Sequence, residues 1–355
     1  MTPTHDEDLV TVFGGSGFIG RHVVRALARR GWRIRNACRR PDLGFHLQPL
    51  GRVGQIHSVQ ANLRYPASVT AALRDSKAVI NLVGLLAEKG RQRFDAVHAF
   101  GSRILAREAA NAGITDFVQI SAIGADTASA SKYAQTKADA EASVREQIPT
   151  AVVLRPSVVF GPEDSFFNRF AAMARLMPVL PLVGADTRFQ PVFVGDVAEA
   201  VARTLDGAAT PGATYELGGP DIVTLREIVE FACRETHRKP MLMALPFGAG
   251  RFMALGTEVA SAVSLGLFPP MLTTTRDQVT LLATDNIVSA QAIAEKRTLE
   301  GLGIMPESFK TFVPSYLWRY RKTGQFEGQR LPYPGQERSS QLAPAQNPSR
   351  GAAAP

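Results

Sequence analysis

The first apolar run of the chain, Leu9-Val-Thr-Val-Phe13, is short and β-branched, and it breaks straight into Gly14-Gly15-Ser16-Gly17-Phe18-Ile19-Gly20. No other feature constrains the fold as strongly. The run predicts a buried parallel strand. Phe18, Val23, Val24 and Leu27 then recur at helical spacing up to Gly31, a natural residue to follow a helix end. The glycines between strand and helix satisfy both Gly-x-Gly-x-x-Gly and Gly-x-x-Gly-x-x-Gly. Such a turn is tight, and its backbone must come almost into contact with a pyrophosphate, which a Cβ would obstruct. The free N–H groups of the helix start point at the same phosphates. A glycine triplet alone is a weak signal, but here it has the strand-to-helix context the chemistry requires. Gly14, Gly17, Phe18, Ile19 and Gly20 are therefore the expected dinucleotide-binding turn.

The alternation continues along the chain. Strand-like runs follow at Trp32 to Cys38, Ile56 to Gln60, Ala78 to Val83, Phe117 to Ser121 and Ala151 to Leu154. Helical stretches separate the later ones, at Ala67 to Leu73, Phe94 to Ala112 and Lys132 to Glu146. Strand and helix alternating with short connections predict an α/β fold, a doubly wound parallel sheet of the Rossmann type. Beyond Gly161 the regularity weakens. A helix near Phe166 to Met177, a strand at Gln190 to Val194, a helix at Val197 to Leu205, a strand at Tyr215 to Gly218 and a helix at Leu225 to Thr236 are expected. The organisation read from this is a nucleotide-binding core over 1–160 and a smaller, discontinuous C-terminal portion over 161–327. Residues 190–206 return from that portion to complete the core. A disordered tail follows over 328–355, where Gln, Pro, Gly, Ser and Ala replace large apolar side chains.

The end of the second strand reads the cofactor. An acid there would bind the ribose 2′-OH of NAD, but the sequence is Ala37-Cys38-Arg39-Arg40, with no acid before Asp42. A guanidinium fork fits a 2′-phosphate instead, so Arg39 and Arg40 point to NADPH. Asn62, after the third strand, is placed to offer its side-chain oxygen to the adenine amino group. The chain carries a formal net charge of +8. Eight arginines between Arg21 and Arg40 hold much of it, without long like-charge runs or interleaved aromatics. That placement suits a phosphate-rich small ligand rather than nucleic acid, while Arg25, Arg29 and Arg33 read as solvated side chains.

Tyr133-Ala-Gln-Thr-Lys137 is a Tyr-x-x-x-Lys pair on an expected helix, with both side chains on one face. A free phenol has a pKa of about 10. A nearby ammonium, helped by an oxidised nicotinamide, lowers it toward acid–base use. Ser121, at the end of the fifth strand, could hydrogen-bond a substrate oxygen. Tyr133, Lys137 and Ser121 are the candidate catalytic set.

These motifs, with Asn81-Leu-Val-Gly84 and Arg155-Pro156, resemble the extended or atypical branch of the short-chain dehydrogenase/reductase superfamily. Longer stretches narrow the resemblance: Gln119-Ile-Ser-Ala-Ile-Gly124, Leu154 to Asp164, Phe167 to Phe170, Gln190 to Val197, Asp285-Asn286, Leu299 to Gly303 and Pro314 to Arg319. Together they are similar to the NADPH-binding accessory subunit family of respiratory complex I (NADH:ubiquinone oxidoreductase), including its bacterial relatives, over about residues 9–326. The resemblance implies tight NADPH binding with a structural role. It implies that Gly14, Gly17 and Gly20 carry the pyrophosphate and that Arg39, with Arg40, takes the 2′-phosphate. Val83 and Gly84 would line the cofactor, Tyr133 and Lys137 would hold the nicotinamide ribose, and Pro156 to Val158 would flank the carboxamide. Active members often place an Asn on the helix before the fifth strand to support a proton relay; here His98 stands in that stretch.

Residues 241–282 are apolar and broken by Gly and Pro, and Tyr316-Leu-Trp-Arg-Tyr-Arg-Lys322 mixes aromatics with bases. They suit either a cap over the substrate pocket or an interface to lipid or a partner subunit. No apolar stretch reaches the length a spanning helix needs, and Asp6-Glu7-Asp8 is unlike a signal peptide. Two cysteines, Cys38 and Cys233, exclude a disulfide scaffold, and the histidines lack paired ligand spacing, so no metal site is expected. The leading expectation is an NADPH-binding protein with a structural part in a membrane-associated respiratory or quinone-related assembly, peripheral on the cytoplasmic face of the inner membrane. The alternative is an active NADPH-dependent reductase, epimerase or dehydratase on a small molecule, with ubiquinone biosynthesis as one setting.

Overall fold

A computed structural model of the chain describes residues 5, 8–85, 88, 93–263, 273–322 and 324. The six expected strands are β1 (Leu9–Phe13), β2 (Arg33–Cys38), β3 (Ile56–Gln60), β4 (Ala78–Asn81), β5 (Asp116–Ile120) and β6 (Val152–Pro156). Helices α1 (Phe18–Arg29), α2 (Pro66–Leu73), α3 (Phe100–Asn111) and α4 (Lys132–Gln147) lie between them. After them come β7 (Val159–Phe160), α5 (Phe167–Leu176), β8 (Val179–Val183), β9 (Arg188–Phe189), β10 (Val192–Phe193), α6 (Val194–Leu205), β11 (Thr214–Leu217), β12 (Val223–Thr224) and α7 (Leu225–Glu235). The main sheet runs β3-β2-β1-β4-β5-β6-β11, with every pair parallel. The direction of progression reverses between β1 and β4, and that is where an open α/β sheet binds its ligand.

A parallel sheet must be covered on both faces. Alternation along β1 does this. Val10 and Val12 pack with Val23, Val24 and Leu27 of α1 and with Val197 and Val201 of α6. Thr11 points the other way, donating to Ala72 O at 3.0 Å. On that second face Val79 and Phe117 join Val69, Leu73, Leu105 and Val144 from α2, α3 and α4. Each such aliphatic side chain contributes about 1.5–3 kcal/mol by leaving water. A separate core gathers Phe160, Phe167, Ile228, Val229, Phe309 and Leu317 around α5, α7 and the last described helices.

Three local differences from the sequence reading have physical causes. β4 ends at Asn81 rather than Val83, because the buried Asn81 side chain turns the chain. Its oxygen accepts Val83 N–H at 3.2 Å, and its amide donates to Ser102 and Gln119. Pro156 closes β6 from within; only its missing N–H is lost, and its carbonyl still accepts Ile123 N–H. The helix expected from Phe94 opens with a π-helical turn, Asp95–Ala99, before α3. The apolar stretch is partly regular: β13 (Met241–Leu245) pairs in parallel with β8, and α8 (Phe247–Val263) and α9 (Arg276–Leu281) follow. Of α8, Ala254 is buried against Val183 and Val279, whereas Phe252, Leu255 and Val259 are exposed. Leu265 to Leu272 and the tail over 328–355 lie outside the described residues.

Candidate functional site

The glycine turn sits where β1 and β4 separate. Gly14 has φ +86°, and a Cβ on it would lie 3.2 Å from the Leu82 and Val83 backbone. The loop after β4 thus rests directly on the turn, with Val83 beside Gly14, while a Cβ on Gly84 would lie 3.4 Å from Lys137 Nζ. A Cβ on Gly20 would lie 2.3 Å from Gly14 O and 2.6 Å from Gly15, so the third glycine lets α1 start in contact with the turn itself. Gly17 is the N-cap of α1. Its position offers no capping side chain, and the first turn, with Phe18 and Ile19, carries no acid. The leading N–H groups of α1 thus have no side-chain cap, as a phosphate would need.

The carboxyl ends of β1 to β6 carry every residue singled out from the sequence for the cofactor, except the pair on α4. Arg39 and Arg40 follow β2, both exposed. Arg40 Nη2 is paired with Asp42 at 2.7 Å. The Asn62 oxygen expected at the adenine accepts Arg64 N–H at 3.1 Å, closing the turn after β3. Pro156 and Val158 flank the end of β6. Between them Ser157 donates to the backbone and side-chain oxygens of Asn286, whose amide reaches back to Ile123 O.

Tyr133 and Lys137 lie on one face of α4, with Lys137 Nζ 5.9 Å from the Tyr133 ring centre. Lys137 is buried and donates to Ile120 O at 3.3 Å, beside Ser121. Burial pushes its ammonium down to about 8, and Glu141 one turn further on opposes that shift. Glu141 is itself held by a bidentate pair with Arg155 at 2.9 and 2.7 Å. The Tyr133 phenol is pushed up to about 12, by burial first and then by the Asp277 charge. That is the direction in the protein alone; the lowering expected from the sequence invokes an oxidised nicotinamide as well as the ammonium. Ser121 Oγ is buried and, among the described residues, has no hydrogen-bond partner. An orphaned hydroxyl beside a Tyr–Lys pair fits a polar ligand at this place.

His98 sits on the π-helical turn, buried. Its Nε2 accepts Leu85 N–H at 2.8 Å, so the neutral ring carries its proton on Nδ1, which faces Thr136 Oγ1 at 3.2 Å. The Thr136 hydroxyl donates onward to Tyr133 O. Burial, with Lys137 nearby, pushes the imidazole down to about 3. His98 is thus a neutral pin with both nitrogens engaged, joining the loop after β4 to the helix of Tyr133 and Lys137. Sequence reasoning passed over Thr136, Glu141 and Asp277. The first two were within reach, since they fall beside or one turn beyond Tyr-x-x-x-Lys; Asp277 is 144 residues from Tyr133.

The sequence pattern of the NAD dependent epimerase/dehydratase family matches residues 10–218, which take in the glycine turn, Ser121, Tyr133, Lys137 and Pro156. The chain belongs to that family. Among its relatives, the mitochondrial NADH dehydrogenase [ubiquinone] 1 alpha subcomplex subunit 9 of Arabidopsis thaliana is 33% identical over 321 residues, covering 89% of this chain and 79% of that one. A ceramide reductase of Caulobacter vibrioides is 32% identical over 246 residues, covering 68% of this chain and 75% of that one. Among solved structures, an Escherichia coli NADPH-dependent quinone oxidoreductase, QOR2, complexed with NADPH, has a TM-score of 0.65 at 19% identity and covers 87% of this chain and 99% of that one. At that identity the likeness speaks to the Rossmann fold. Among the described residues no helix is long and apolar enough to cross a membrane, and no His/Cys/Asp/Glu cluster could hold a metal ion.

Proposed function

We propose that this protein binds NADPH tightly and serves a mainly structural, accessory role in a membrane-associated, complex I-like or quinone-related respiratory assembly. The observation that carries the reading is the state of the would-be relay: both nitrogens of His98 are bonded inside the protein, to Leu85 N–H and to the Thr136 hydroxyl. A reductase needs a route that replaces the proton its phenol gives up, and an imidazole engaged in this way does not supply one. The similarity to the subunit 9 relatives over most of the chain supports the same conclusion.

In this reading Gly14, Gly17, Phe18, Ile19 and Gly20 hold the pyrophosphate, and Arg39 takes the 2′-phosphate. Val83 and Gly84 line the cofactor, Tyr133 and Lys137 hold the nicotinamide ribose, and Pro156 and Val158 flank the carboxamide. The bound nicotinamide would supply a hydride if turnover occurred. The exposed apolar side chains Phe252, Leu255 and Val259 of α8, with Trp318, provide the contact with a partner or with the cytoplasmic face of the inner membrane, while Tyr316 and Leu317 of the aromatic-basic segment are buried in the second core.

A second reading, an active NADPH-dependent reductase, epimerase or dehydratase, is favoured by the orphaned Ser121 hydroxyl beside an intact Tyr133–Lys137 pair and by the ceramide reductase relative. Native mass spectrometry of protein taken from its own membranes separates the two. NADPH retained together with partner subunits is expected. Rapid NADPH consumption by a carbonyl or quinone substrate, abolished by Tyr133→Phe, would establish the enzyme instead.

A further inference from the structure

The two helix starts that border the site are finished in opposite ways. The first turn of α1 has no side-chain cap. The first turn of α4, which carries Tyr133, is fully taken. Ser131 caps Ala134 N–H, and Asp277 accepts Lys132 N–H at 2.7 Å, Tyr133 N–H at 3.3 Å and the Ser131 hydroxyl at 3.0 Å. Asp277 belongs to α9, far along the chain, and its own position is over-determined. Thr275 and Gln278 form a capping box ahead of and behind it. Arg276 is bonded through its backbone N–H and its guanidinium to Glu258 of α8. Thr274 is tied to Thr257 of α8 and to Arg169 of α5.

We propose that Asp277 is a positioning residue for the Tyr133–Lys137 pair, through which the C-terminal portion fixes the first turn of α4 and the electrostatic setting of the phenol. The inference rests on the reading of that pair as the nicotinamide-ribose contact. A helix start carries a partial positive charge that would otherwise favour an anion at Tyr133. A carboxylate seated on its N–H groups cancels that charge and adds a negative one of its own. The other groups facing Tyr133 do not replace it. Lys137 lies on the same helix, and His98 from the π-helical turn is neutral, its ring 5.6 Å away. Lys132 is turned to Asp95 and Glu88.

The test uses the full-length chain with 3-fluorotyrosine, the Tyr133 fluorine resonance being assigned by its loss in Tyr133→Phe. In Asp277→Asn, which keeps an acceptor but removes the charge, the Tyr133 phenolate-to-phenol ratio at a given alkaline pH is expected to rise about tenfold. Asp277→Glu is expected to return it toward wild type. Asp277→Ala adds the loss of the backbone seat, and NADPH affinity is expected to fall as well. An unchanged Tyr133 titration in a folded Asp277→Asn variant overturns the proposal, as does a change that Asp277→Glu fails to reverse. The phenol is read on the cofactor-free protein, so failure of the wild type to bind NADPH would sink the functional reading separately.

Discussion

Replacing Gly20 by Ala tests the glycine turn most sharply. The new methyl would stand 2.3 Å from Gly14 O and 2.6 Å from Gly15 C and Cα. An ordinary carbon–oxygen contact needs roughly 3.2 Å or more, so the turn and α1 must part by about an ångström. All the obstructing atoms are backbone, and no rotamer change relieves them. Overpacking of this kind costs about 1–3 kcal/mol, or roughly fivefold to 150-fold in the folding constant. The N–H groups of the α1 start move with the helix, and each charge-assisted bond they would make to phosphate is worth about 1.5–3 kcal/mol. Gly17→Ala is the matched control. Its methyl meets only Gly14 O, at 3.3 Å, so its stability cost stays within about 1 kcal/mol, the range of an N-cap change. NADPH affinity should nevertheless fall at least about tenfold, because that methyl faces the expected pyrophosphate. Urea unfolding and isothermal titration with NADPH give both numbers for both variants. A Gly20→Ala midpoint equal to wild type would refute the packing argument, and a Gly17→Ala variant with wild-type affinity would remove the pyrophosphate from this turn.

Arg39→Ala should lose about tenfold to a hundredfold in NADPH affinity with little change for NADH, while Arg40→Ala changes either modestly because Asp42 already holds Arg40; equal losses for both nucleotides would end the 2′-phosphate assignment. Asp196 is pushed up to about 6, by burial first, with Glu307 and Glu199 adding to it. The folded state then binds this proton more tightly than the unfolded one, so this residue's contribution is least unfavourable below about pH 4 and becomes more unfavourable as pH rises through 6. Asp196→Asn should flatten that part of the stability profile in pH-dependent melts, and an unchanged slope contradicts the assignment. Cell fractionation should place the full-length protein with membranes at low ionic strength and release part of it in high salt; a wholly cytosolic protein at low salt would leave the apolar C-terminal residues to a pocket-covering role.

The sheet was legible in the sequence because its signals are local. A β-branched run, a glycine turn and a 3.6-residue periodicity each lie within a few positions of one another, and parallel crossovers admit few topologies. The same holds for Tyr133 and Lys137, whose shared face follows from helical spacing alone. The short pairs β7–β10, β9–β12 and β8–β13 were not legible, since two to five residues carry no period and their partners lie far off in the chain. Charge settings were equally out of reach. The spacing of Tyr133 and Lys137 suggested a phenol made acidic by an ammonium. Only the tertiary structure shows that Lys137 is buried and that Asp277 sits on the helix start, both of which act on the charge setting of the pair. His98 makes the same point. A sequence can place an imidazole near a relay, but only packing decides that Leu85 and Thr136 occupy both of its nitrogens and leave it neutral. Chain-local sterics and periodicity fixed where the backbone goes; desolvation and contacts between distant segments set what the side chains there can do.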